Sequence, residues 1–159
     1  MIIISDTSPI SNLLQIGEID ILRAVFDRVM IPPSVYREIC EVDQNRRALS
    51  NLDWIETRKV TDTALRDKLS QTLDPGEAEA IALAIELSAD YLLIDESLGR
   101  SVADKLGVKI TGLLGVLLQA KDRGHILAVK PYIDRLVSEV GFRLARELID
   151  DVLYQAGEI

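Results

Sequence analysis

Two short apolar runs constrain this chain more than any other feature. Ile2-Ile3-Ile4 and Tyr91-Leu92-Leu93-Ile94 show no alternation of apolar and polar residues. A strand with one wet face alternates; a strand covered on both faces of a parallel sheet does not. Two further runs, Val29-Met30-Ile31 and Val108-Lys109-Ile110, are also rich in β-branched residues. Helical patterns lie between them. Ser8 to Ile16 and Glu18 to Phe26 read as helices, and Pro32-Pro33 stops the second strand before a helix that Ser34 can cap, running to Cys40. Asp62 to Leu69 is a polar helix. Asp74-Pro75-Gly76 is a turn that opens a long apolar helix, Glu77 to Ser88. Ser97 to Leu106 ends at Gly107, and Gly112 to Arg123 ends at Gly124. From Pro131 onward a helical tail carries Ile133, Leu136, Val137 and Val140 at helical spacing.

Strands alternating with helices predict an α/β chain: a three-layer α/β/α sandwich around a mainly parallel sheet of four to five strands. With 159 residues, one domain over 1–159 is expected, with 131–159 as a C-terminal helical extension. The single Cys40 leaves no internal disulfide and reads as a small hydrophobe of a reducing compartment. No apolar run approaches the roughly 20 residues that cross a bilayer. The opening MIIISD lacks a basic n-region, so a cytoplasmic location without membrane contact is expected.

In an open parallel sheet the ligand crevice lies at the carboxyl ends of the strands. Asp6 follows the first strand and Asp95 the third, so both runs deliver an acid to the same edge. Either aspartate alone reads more readily as a turn or cap residue; two on parallel core strands are harder to explain that way. Glu77 and Glu79 open the apolar helix, where acids also complement the helix dipole. Glu77 shares a stripe with Ile81 and Ala84, whereas Glu79 falls roughly 200° away at helical spacing. Glu38 reads either as a site acid or as a surface acid beside Arg37 or Arg46. If Asp6, Glu38, Glu77 and Asp95 converge, they need protons or cations. Two like charges about 4 Å apart repel by roughly 4 kcal/mol at an effective dielectric near 20. An all-oxygen donor set points to Mg2+ or Mn2+. The lone His125 lies in a loop, far in sequence from these four acids.

These segments resemble the motifs of PIN domains. IIISDTSPISNL is similar to the first motif, IPPSVYREI to the second, LDPGEAEAIALA to the third and YLLIDESLGRSVADKLGV to the fourth. With GLLGVLLQAKDRGHI, they look like a PIN subfamily described as predicted nucleic-acid-binding proteins, over roughly residues 2 to 140. The resemblance implies a metal-dependent ribonuclease, similar to VapC-type toxins that cleave RNA and are silenced by a small antitoxin protein; a homodimer is implied on the same ground. Asp6, Glu38, Glu77 and Asp95 match the four metal-site acids in order. Ser8 matches a hydroxyl residue that supports the first acid. Glu79 can substitute for Glu77 in a shifted alignment, and Glu96 adjoins Asp95. VapC-like chains commonly carry an aspartate where this one has Glu77.

Arg100, Lys105, Lys121 and Arg123 are candidate phosphate contacts at the mouth, or ordinary surface charge. A net charge of −8 argues against extended electrostatic binding of nucleic acid, unless part of it is a metal site. A dinucleotide-binding fold lacks its Gly-rich turn here, since SDTSPIS follows the first strand. A haloacid-dehalogenase-like phosphatase would carry a second aspartate where Ser8 stands. A PIN-like module that binds nucleic acid or protein with little catalysis remains the alternative. The acidic residues Asp150, Asp151 and Glu158 of the tail fit a solvated helix face or a dimer element equally.

Overall fold

The computed structural model covers residues 1–159. The apolar runs form the centre of a five-stranded sheet. In chain order the elements are β1 (Ile3–Ser5), α1 (Thr7–Gln15), α2 (Asp20–Phe26), β2 (Val29–Ile31), α3 (Pro33–Cys40), α4 (Asp43–Leu49), β3 (Ile55–Thr57), α5 (Thr63–Leu69), α6 (Pro75–Glu86), β4 (Tyr91–Leu93), α7 (Ser97–Lys105), β5 (Ile110–Thr111), α8 (Leu113–Asp122), α9 (Lys130–Val140) and α10 (Arg146–Gln155).

The sheet order is β3-β2-β1-β4-β5, and every pairing is parallel. The expected three-layer α/β/α sandwich is therefore the fold, with the sheet wholly parallel. Every residue of β1 is buried, because helices cover both faces of the sheet. The chain builds outward from β1 through β2 to β3, then crosses to the other side for β4 and β5. The topological switch point thus lies between β1 and β4, where such folds open a crevice.

β3 has no counterpart in the sequence reading. It is an edge strand, with Glu56 and Thr57 exposed, so no core-facing run betrays it. α4 is likewise a short polar helix, DQNRRAL, with only Asn45 and Leu49 buried. Helix α3 begins at Pro33 after Pro32 in the cap position, one residue before the cap expected at Ser34. The C-terminal tail is two helices. Gly141 ends α9 in the left-handed region at φ 70°, which glycine adopts without a Cβ clash, and Phe142 N–H closes the turn on the Leu136 carbonyl at 3.0 Å.

α6 is the most enclosed helix. Gly76 through Ala84 are all buried, since the helix packs on β1 and β4 and is covered in turn by α3 and α5. Alternating alanines (Ala78, Ala80, Ala82, Ala84) permit that close approach. Its two buried acids, Glu77 and Glu79, therefore require partners.

Candidate active site

Ser5 stands opposite Leu93 in the β1–β4 pairing, and Asp6 N–H extends it by donating to the Leu93 carbonyl at 2.9 Å. This fixes Asp6 at the carboxyl end of β1, one step from Ile94 and Asp95 on the neighbouring strand. Asp6 also occupies the cap position of α1, yet its side chain makes no capping hydrogen bond. A buried aspartate that leaves its cap unused is available for another task.

Glu38 reaches the same edge from α3. It does not pair with either arginine: Arg37 donates to Ser34 Oγ and Arg46 bonds Asp43. Instead the Glu38 carboxylate accepts from Thr7 Oγ1 at 3.1 Å. Glu77 comes from the first turn of α6, where Asp74 Oδ1 accepts from its backbone N–H at 2.8 Å. Asp95 accepts from Leu113 N–H at 3.1 Å, which ties it to the start of α8.

Asp6, Glu38 and Glu77 all respond to the charge of Asp74. Burial pushes the Asp6 carboxyl up to about 7; the Thr7 backbone N–H partly offsets this, and Asp74, Glu38 and Asp95 add to it. Burial likewise pushes Glu77 up to about 8, helped by a shared hydrogen bond with Asp74 and by the charges of Asp74, Asp6 and Glu96. Glu38 is raised by burial and then by Asp74. Asp95 is raised by burial, against the Leu113 N–H and the Arg100 charge. Asp74 acts on three of the four acids and is the member that the sequence reading treated only as a turn. Its position three residues before Glu77, as a helix cap, was the available signal.

Three glycines clear the space these carboxylates occupy. A Cβ at Gly76 would overlap the Glu38 carboxylate, and one at Gly112 would overlap Asp95; at Gly99 it would lie 3.2 Å from Glu77 Oε2. No ion pair of the chain includes Asp6, Glu38, Asp74, Glu77 or Asp95.

The remaining candidates divide by place. Glu79 is engaged by α3: its Oε1 accepts from Ser34 N–H at 2.8 Å and so caps the helix that carries Glu38, whose carboxyl its charge also helps to raise. Ser8 is exposed, and the hydroxyl that reaches the acids belongs to Thr7. Glu96 is exposed at the cap position of α7, without a capping bond. Arg100 is at the mouth, with Nη1 on the Ile94 carbonyl at 2.8 Å.

Lys105, Lys121 and Arg123 are elsewhere. Lys105 ends α7, while Lys121 and Arg123 lie at the far end of α8, about 13 Å from its start at 1.5 Å per residue. Lys121 is bonded to the Ala156 carbonyl and Glu158, and Arg123 to the Val25 carbonyl. The mouth expected for them is thus the wrong end of their helices. His125 is exposed in the loop after α8.

A family profile described as a PIN domain matches residues 2–158. The chain belongs to the PIN-domain family. No curated relative matches it. PIN domains are generally nucleases, hydrolases acting on nucleic acid, and typically use divalent metals. In this PIN domain no three acids are already arranged as ligands around one ion position. The chemistry of the donors nevertheless fits a hard cation: all are carboxylates, and none of them is in an ion pair. Burial and neighbouring carboxylates push Asp6 up to about 7 and Glu77 up to about 8, shifts that a bound cation would reverse. No helix of this PIN domain is long and apolar enough to cross a membrane.

Proposed function

We propose that this PIN domain is a metal-dependent endoribonuclease that hydrolyses RNA phosphodiester bonds with water, its metal held by Asp6, Glu38, Glu77 and Asp95. The observation that carries this reading is the gathering of acids outside any ion pair at the β1–β4 switch point of a PIN sheet. A bound Mg2+ or Mn2+ would supply Lewis-acid activation of water and neutralise charge on the phosphate.

The chain's own groups supply the rest. Asp6 and Asp95 are anchored on adjacent strands, so they provide a rigid base. Glu38 and Glu77 approach from α3 and α6. Thr7 orients Glu38, Glu79 fixes the helix beneath it, and Asp74 holds the first turn of α6 and adds to the charge that favours a cation. Arg100 faces incoming phosphate beside Asp95. No serine is a nucleophile in this scheme: Ser8 is exposed and bonds to no base.

On this reading residues 1–159 work as one PIN-like unit, with 131–159 as its helical extension, in the cytoplasm. A toxin role with a small antitoxin partner, and a homodimer, are further parts of the proposal that rest on the resemblance to VapC-type chains.

The test is cleavage of a mixed single-stranded RNA pool with magnesium, with manganese and with EDTA. Metal-dependent cleavage that disappears in Asp6→Asn supports the site. Undiminished cleavage by the triple variant Asp6→Asn, Glu77→Gln, Asp95→Asn sinks it. Metal-independent RNA binding without cleavage would favour a binding module.

A further inference from the structure

A groove runs from Asp95 away from the acid cluster, with a volume of about 470 Å3. That lies in the roughly 300–1,000 Å3 range of small-molecule sites. One wall is the turn from β5 into α8. The other is built by residues 142–148, the link between α9 and α10 and the first turn of α10.

Two kinds of side chain line it. Arg100 and Arg143 both face the groove, and neither is in an ion pair. Two guanidinium groups outside any ion pair, that of Arg100 held on the Ile94 carbonyl, stand out beside the candidate active site in a chain of net charge −8. Phe142, Leu144 and Leu148 supply an apolar surface, and Leu148 is 46% exposed. The occupant this combination fits is anionic at one end and flat and apolar at the other. A nucleotide of a single strand has that form, because its base face is free to stack. In a duplex the bases are already stacked on one another.

We propose that this groove holds one nucleotide of single-stranded RNA adjoining the scissile phosphate. Arg100 and Arg143 contact its phosphate, and Phe142, Leu144 and Leu148 contact its base. The C-terminal helices thereby select the strand that the acids cut. The proposal rests on the nuclease reading for the position of the cut, and on the groove alone for binding.

The experiment uses the full chain carrying Asp6→Asn, so that cleavage does not interfere. Anisotropy of a labelled single-stranded RNA 12-mer is measured across a salt series, with Arg143→Ala and Phe142→Ala added singly. Each should weaken binding on the order of tenfold, and Arg143→Ala should also reduce the salt slope by about one. A blunt duplex of the same sequence should bind more weakly and be insensitive to Phe142→Ala. Arg143 is exposed, so its variant should keep the parent's melting temperature and remains informative if Phe142→Ala does not fold.

Affinity within twofold of the parent in Arg143→Ala overturns the proposal. So does unchanged affinity accompanied by a changed oligomeric state, which would assign the face to a second copy of the chain. The two readings fail separately. Metal-dependent cleavage with an unaltered KM in Arg143→Ala would leave the nuclease and remove the groove. RNA binding that depends on Arg143 and Phe142, in a protein that never cleaves, would do the reverse.

Discussion

The Glu38 carboxylate occupies the space that a Cβ on Gly76 would fill. The two residues come from different helices, α3 and α6, so this overlap shows that the Glu38 carboxylate lies directly against the first turn of α6. It also separates activity from stability. Within a helix, alanine is favoured over glycine by about 1 kcal/mol, and the group it would displace is the end of a flexible side chain. Gly76→Ala should therefore keep or raise the melting temperature while lowering metal-dependent RNA cleavage by about tenfold or more. Thermal melting and cleavage rates on one preparation decide it. Full activity in a folded Gly76→Ala protein would show that the position of Glu38 does not matter.

Glu77 and Glu79 are two residues apart and do opposite work. Glu79 caps α3 through Ser34 N–H, and losing a cap costs about 1 kcal/mol, roughly 3 °C for a chain of this size. Glu79→Ala should lower the melting temperature by that order and reduce cleavage only partly. Glu79→Gln, which keeps an acceptor, should recover most of the stability. Glu77→Gln should abolish cleavage without a stability loss at pH 8. Equal behaviour of the two glutamine variants would refute the division.

The fold was legible because its centre is apolar and unalternated: β1 and β4 are visible in Ile2 to Ile4 and Tyr91 to Ile94, and the acids follow them. What escaped lies at the edges. β3 exposes two of its three residues, so burial leaves no imprint on its sequence, and α4 is nearly all polar. At the site, the strand ends put Asp6 and Asp95 at one sheet edge and the resemblance to PIN motifs added Glu38 and Glu77, but neither pointed to Asp74, whose capping role hides its electrostatic one. Lys121 and Arg123 failed for a geometric reason. A residue's distance along a helix from the sheet edge decides whether it reaches the mouth, and both lie roughly two to three turns away. Thr7 and Ser8 are adjacent hydroxyls, and only the turn of α1 determines which faces Glu38.

One carboxylate ties the end of the tail to the start of α9. Glu158 accepts from Val129 N–H at 2.7 Å and Lys130 N–H at 3.0 Å, and pairs with Lys121 at 3.1 Å. These partners outweigh its burial and hold its carboxyl below the usual range. Its contribution is present above the unfolded glutamate pKa and is lost as pH falls through the lower folded value. Hydrogen bonds to charged groups contribute about 1.5–3 kcal/mol, so Glu158→Ala should lower the melting temperature at pH 7 by several degrees. The deficit against wild type should shrink toward pH 3. A constant deficit across that range would exclude the charged cap as its source.

The acid cluster has the opposite sign. Asp6 is raised from 3.8 to about 7 and Glu77 from 4.5 to about 8, so between those limits the folded protein binds more protons than the unfolded chain. Stability then falls as pH rises through that window. Metal-free protein should lose melting temperature between pH 5 and pH 8, once the contribution of other groups is subtracted using Asp6→Asn. Magnesium or manganese binds the deprotonated acids, so it should raise the melting temperature at pH 8 and have little effect at pH 5, where protons compete. Asp6→Asn should flatten the pH dependence and weaken the metal response together. A metal-induced shift of equal size at both pH values, or one unaffected by Asp6→Asn, would place the ion away from this cluster.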